Sequence, residues 1–157
     1  MYQPKTIYKA QMNSRSNYYV YGANGIIGKT NNFNHFTKQI CIGCRGTVGN
    51  VFITNEKAWI NGNAMVVNVD AQTEIINKMY LYYYLKNCNF KNIVSGSSQP
   101  QIVRGSLENY MIKLPNIKEQ NQIEYLLSSF EKIAVIENKK LNNYIVIKKF
   151  LLNNLFI

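Results

Sequence analysis

Five polar side chains in this sequence have the chemistry to read a nucleic acid. Arg45 stands inside the glycine series Gly43-Cys44-Arg45-Gly46-Thr47-Val48-Gly49, Arg104 precedes Gly105, and Lys29 follows Gly28. Gln99 and Gln101 flank Pro100 in the amide-rich stretch from Ser95 to Gln101. A guanidinium pairs bidentately with guanine and a Gln amide with adenine, whereas a lysine ammonium suits phosphate. Glycines beside such groups supply positive φ and allow close backbone approach. Net charge points the same way, at +10 from 18 basic and 8 acidic residues. Eleven basic and four acidic residues lie between Met1 and Tyr110, so +7 sits ahead of the last quarter of the chain. A basic folded part calls for nucleic acid or another anionic partner.

The residues that could catalyse are too few. Ala23 to Thr30 matches a relaxed phosphate-loop pattern, but the Asn31-Asn32-Phe33-Asn34-His35-Phe36 that follows lacks the helical stripe such a loop requires. Cys41 and Cys44 have the spacing of half a zinc site, with His35 and Cys88 as distant further ligands and no second pair. His35 is the only histidine and Asp70 the only aspartate, which leaves no triad and no carboxylate cluster for two metals. The chain is expected to be non-catalytic, with no cofactor of its own. Three cysteines, an odd number, fit a reducing cytoplasm. Neither a signal peptide nor a run of about 20 apolar residues is present, so no membrane contact is expected.

Short apolar runs bounded by turn residues position the reading side chains. Strands are expected at Ile7–Met12, Tyr18–Tyr21, Thr37–Gly43, Val51–Thr54, Ala64–Val69, Asn89–Val94 and Tyr110–Leu114. A turn at Gly22–Gly28 and a loop from Lys29 to Phe36 separate the second of these strands from the third. A helix is expected from Thr73 or Glu74 to about Lys86, with Ile76, Met79, Tyr80 and Tyr83 on one stripe, and one helical turn at Arg104–Glu108. The fold class is α+β, a curved, mostly antiparallel sheet with short helices followed by one long C-terminal coiled-coil helix.

That helix is the strongest local signal. Asn116 can cap it and Glu119 can close a capping box, with Pro115 barring an earlier start. Ile123, Leu127, Phe130, Ile133, Leu141, Tyr144, Leu151 and Leu155 then recur at steps that keep them on one face. About 40 residues make a rod of roughly 60 Å, too long for the upstream part to cover. Its stripe requires a partner. Two segments follow, residues 1–115 as the recognition unit and 116–157 as the rod.

Taken in order, these motifs resemble one half of the DNA-specificity subunit of type I restriction–modification systems. The resemblance rests on Tyr21 to Gly28, Gly43 to Gly49, Trp59, Asn63-Ala64, Tyr80 to Leu85, Gly96 to Ile102, and Leu114 to Ile123. It implies a target recognition domain gripping one half of a split double-stranded DNA site. It implies also a spacer helix that pairs antiparallel with a second copy and docks methyltransferase subunits. The methyltransferase (modification) subunit would bind S-adenosylmethionine, and a restriction subunit would join through the complex. Family members usually carry the domain-plus-helix unit twice; this sequence has it once, which points to an antiparallel homodimer. Two other readings remain open at this level: a single-strand or RNA-binding module using the tyrosines, and a phosphate-loop nucleotide hydrolase using Lys29.

Overall fold

The structure is a computed structural model, and it describes residues 1–156. Ile157, the last residue of the expected rod segment, lies outside the described residues.

In chain order the elements are β1 (Tyr18–Gly22), β2 (Gly25–Thr30), β3 (Ile40–Gly43), β4 (Val51–Ile53), β5 (Trp59–Ile60), β6 (Ala64–Val67), α1 (Lys78–Lys86), β7 (Val94–Ser95), β8 (Gln101–Ile102), α2 (Arg104–Glu108) and α3 (Ile117–Leu155). The α+β class holds, and the single expected sheet resolves into three small ones. β1 lies between β2, antiparallel, and β5, parallel. β3 lies between β4 and β6, both antiparallel, and β7 pairs with β8 as a two-stranded ribbon.

β3 is the keel. Its residues Ile40, Cys41 and Ile42 are all fully buried, because both faces of the strand are covered. Ile40 and Ile42 join Met65, Val67, Leu81, Leu85, Ile102 and Leu107 in the main core. Cys41, on the opposite face, packs with Ile60, Ala64 and Val66 in a smaller second core. The two-residue alternation of a strand thus splits a continuous apolar run between two clusters.

Several local expectations shift. The helix expected from Thr73 starts at Lys78, because the Asn77 side chain accepts from Tyr80 N at 2.9 Å and caps it there. The Thr73 region instead turns on Gln72 O, which accepts from Ile75 N and Ile76 N. α1 buries Tyr80, Leu81, Tyr82 and Leu85, while Ile76, Met79 and Tyr83 are partly covered. Ile7–Met12 and Asn89–Val94, expected as strands, contain 3-10 turns at Lys9–Gln11 and Lys91–Ile93. Tyr110–Leu114, expected as a strand, forms none. Lys29 and Thr30 close β2 rather than open a loop.

α3 starts where its sequence dictates. Asn116 Oδ1 accepts from Glu119 N at 3.0 Å, and Glu119 Oε2 accepts from Asn116 N at 3.2 Å. One α3 residue, Gln120, is buried. Its amide accepts from Asn77 N at 2.9 Å and donates to Ile75 O at 2.9 Å and Pro115 O at 2.8 Å. These bonds fasten the rod to the start of α1. Tyr83 adds a hydrogen bond from its hydroxyl to Glu131 Oε2 at 2.7 Å. No helix among the described residues is long and apolar enough to cross a membrane.

Candidate nucleic-acid interface

Arg45, Gln99 and Gln101 meet in one place. They line an open cleft of about 490 Å³ together with Gly46 and Pro100. Two stretches more than 50 residues apart in sequence build it, and backbone bonds join them. Arg45 and Gln101 form an antiparallel bridge, and Ile102 N donates to Cys44 O at 3.0 Å.

Glycines shape both walls. Gly46 and Gly49 have φ of 77° and 80°, left-handed conformations that throw the chain into a tight turn after β3. Gly43 is needed for space instead, since a Cβ there would collide with the carbonyl oxygens of Thr47 and Ala23. The Ala23 contact brings the tip of the β1–β2 hairpin against the root of the Arg45 turn. The two glycine series of the sequence therefore approach each other, a structural use that leaves Arg45 projecting from their junction. On the other wall, Gly96 at φ 85° reverses the chain between β7 and β8. The cleft's cation is available, since Arg45 is exposed and forms no ion pair among the described residues.

Arg104 and Lys29 do not join them. Arg104 opens α2, and its Nε donates to Glu108 Oε1 at 2.8 Å, one helical turn on. Lys29 lies on β2 opposite Tyr19, with its ammonium 5.2 Å from the centre of that ring. It lines a separate pocket of about 430 Å³ with Lys9, Ser14, Ile26 and Ile27. Lys9 was not singled out from the sequence, where nothing in its surroundings marks it. Because Lys29 and Thr30 are strand residues, no helix N-terminus stands over them, and the phosphate-loop reading loses its geometry. Of the β1 tyrosines, Tyr21 is buried and stacks with Phe52, and Tyr18 meets Phe33 edge-on. Neither ring of that pair of strand residues is presented as a free stacking platform for a single strand.

The remaining reactive side chains serve the fold. Cys41 and Cys44 are buried, which pushes both thiols up. His35 pairs with Tyr2 Oη at 2.8 Å and Asn34 Oδ1 at 2.6 Å, and burial lowers its pKa although Asp70 pulls the other way. Burial would raise the Asp70 pKa, but hydrogen bonds from Lys78, Thr37 and Gln39 outweigh it and hold the carboxyl at about 2. Among the described residues no three of His, Cys, Asp and Glu cluster as a metal site would require. The eight stripe residues of α3 are all exposed, from Ile123 and Leu127 near its start to Leu151 and Leu155 near its end.

The family model for the type I restriction modification DNA specificity domain matches residues 3–145. The chain belongs to this family. It is 29% identical over 96 residues to the MjaVIII type I restriction enzyme specificity subunit of Methanocaldococcus jannaschii, covering 60% of this chain and 23% of that protein. It is 28% identical over 118 residues to the EcoprrI specificity subunit of Escherichia coli, covering 74% of this chain and 29% of that one. The chain thus spans about a quarter of the length of these curated relatives. Among solved structures, a type I restriction–modification S subunit from M. genitalium superposes with a TM-score of 0.75 at 22% identity, over 99% of this chain and 44% of that one. A chain from a structure describing complex assembly and conformational transition of the type I system gives 0.63 at 18% identity, over 95% and 40%. These two likenesses establish the shared fold, a small-sheet unit followed by one long helix.

Proposed function

We propose that this chain is the non-catalytic, DNA-reading component of a type I restriction–modification complex. The observation that carries the reading is the convergence of Arg45, Gln99 and Gln101 on one open cleft inside the family match. An unpaired guanidinium beside two amides offers the donors and acceptors that discriminate guanine and adenine in the major groove of double-stranded DNA. Lys29 and Arg104 stand apart from that cleft and suit phosphate, a contact that positions without specifying.

Residues 1–115 act as the target recognition domain and 116–157 as the spacer and dimerisation helix. Ile123, Leu127, Phe130, Ile133, Leu141, Tyr144, Leu151 and Leu155 form the seam of an antiparallel homodimer. Such a pair presents one surface twice and sends the two recognition units to opposite ends. Methylation belongs to a methyltransferase subunit carrying S-adenosylmethionine, and a restriction subunit joins through the assembled complex, in the cytoplasm.

The test is a methylation map. The purified chain, mixed with its methyltransferase subunit and S-adenosylmethionine, should direct methylation to an interrupted palindrome with half-site centres about 10 bp apart. Alone, it should methylate nothing, cut nothing and turn over no nucleotide. A map unchanged by combined Arg45→Ala, Gln99→Ala and Gln101→Ala substitution sinks the cleft as the reading surface.

A further inference from the structure

Arg45 is held from two sides. On the β8 side it bridges Gln101, and Cys44 O accepts from Ile102 N. On the other side the ladder between β3 and β6 ends at Gly43 and Ala64, yet the bonding continues past them. Asn63 O accepts from Cys44 N at 2.9 Å and from Arg45 N at 3.3 Å. The backbone of Arg45 can sit no more firmly than the 61–63 turn that supplies this carbonyl.

That turn is clamped by residues 2–7. Gln3 Nε2 donates to Gly62 O at 3.1 Å and to Cys44 Sγ at 3.0 Å, tying the turn to the residue before Arg45. Thr6 Oγ1 accepts from Gly62 N at 3.2 Å. Asn61 is buried, and its side-chain amide accepts from Ile7 N at 2.9 Å and donates to Ile7 O at 3.2 Å, in place of a strand partner. Tyr2 and Val66 exchange both backbone bonds, at 3.2 and 2.8 Å, and Lys5 O accepts from Trp59 Nε1 at 3.2 Å. The fit is close. A Cβ on Gly62 would stand 2.8 Å from Thr6 Oγ1 and 3.0 Å from Pro4 O.

We propose that Gln3 and Thr6 are positioning residues for base reading, setting through the 61–63 turn the angle at which Arg45 meets a base. The inference rests on the cleft reading proposed above and extends base selectivity to side chains that touch no base. A bidentate guanidinium–guanine pair needs both hydrogen bonds in line, and such bonds weaken steeply below about 120°. Arg45 is exposed, with no ion pair among the described residues to fix its side chain. Its aim therefore comes from its backbone, and the backbone is set by Asn63 on one flank and Gln101 on the other. A misaimed Arg45 still meets phosphate by charge but no longer tells one base from another.

The test is competition binding by the full chain assembled with its methyltransferase subunit. The duplexes carry the methylated site with each base pair varied in turn. Arg45→Ala first identifies the base pair that Arg45 reads. Gln3→Ala and Thr6→Val should each relax preference at that same pair about tenfold, with the salt dependence unchanged. Thr6→Ser, which keeps the hydroxyl, should retain the preference. Gln3→Ala added to Arg45→Ala should relax the pair no further than Arg45→Ala alone, as expected of residues that act through one another. Relaxation at a different base pair, or full additivity with Arg45→Ala, makes Gln3 a base contact in its own right and overturns the proposal. So does a uniform loss across all sequences, the mark of a merely structural bond. Arg45→Ala without effect removes the cleft reading itself. An effective Arg45→Ala beside a silent Gln3→Ala removes the positioning role alone.

Discussion

β3 buries Ile40, Cys41 and Ile42 completely within four residues, while the 39 residues of α3 bury only Gln120. Both segments are rich in large apolar side chains, so composition does not separate them. The difference lies in what each side chain meets. Around β3, apolar groups meet apolar groups of the same chain from two directions. Along α3 they meet solvent, and the contact that fixes the rod is polar. Gln120 bonds to Asn77, Ile75 and Pro115, and Asn121 adds a bond from Asn77 Nδ2 at 2.8 Å. Directional hydrogen bonds set an angle that non-directional apolar contacts would leave loose. The joint thereby holds the rod while its stripe stays free for another surface.

The contrast can be broken from either side. Ile42→Ala should cost about 2–5 kcal/mol, because it opens a cavity in a site closed on every side. Thermal melting should show the loss equally at all protein concentrations. Ile133→Asp places a charge in the middle of the stripe instead. It should weaken self-association about a hundredfold, roughly 2.8 kcal/mol, while the monomer melts as before. If Ile133→Asp lowered the melting point of a dilute monomer as much as Ile42→Ala does, the stripe would be part of the core.

The joint itself is tested by Gln120→Ala, which strands one buried donor and two carbonyls. A loss of about 1–3 kcal/mol is expected, together with faster proteolytic cleavage between Leu114 and Asn121. Within the recognition unit, replacing Arg45, Gln99 or Gln101 singly by Ala should relax preference at one base position by about 1–3 kcal/mol in competition binding. Lys29→Ala should instead weaken all sequences alike and lower the salt slope by about one.

The smallest effect concerns acid. Asp70 titrates at about 2 in the folded chain, below the ordinary carboxylate value. A depressed folded pKa contributes stability that is present above the unfolded value, about 3.9, and is lost as pH falls through about 2. Between those limits the native chain should lose melting temperature faster than Asp70→Asn does. Equal slopes would mean that Lys78, Thr37 and Gln39 do not hold the carboxylate in solution.

Local signals carried the rod. The Asn116–Glu119 capping box and the three- and four-residue steps of the stripe are settled within a turn or two of backbone, so their residues alone place the start and the face of α3. Glycine spacing was legible in part: Gly25, Gly46 and Gly49 of the two series take positive φ, while Gly43 serves close backbone approach. Only the tertiary structure decided that Arg45 bridges Gln101 and that Lys29 lies in a strand over Tyr19. Strands of two to six residues carry too little periodicity to name their partners. β5 pairs parallel to β1 across nearly 40 residues, and β8 meets the Arg45 turn across more than 50. Such pairings depend on which surfaces the two cores bring within reach, and that is a property of the whole packed chain rather than of any window in it.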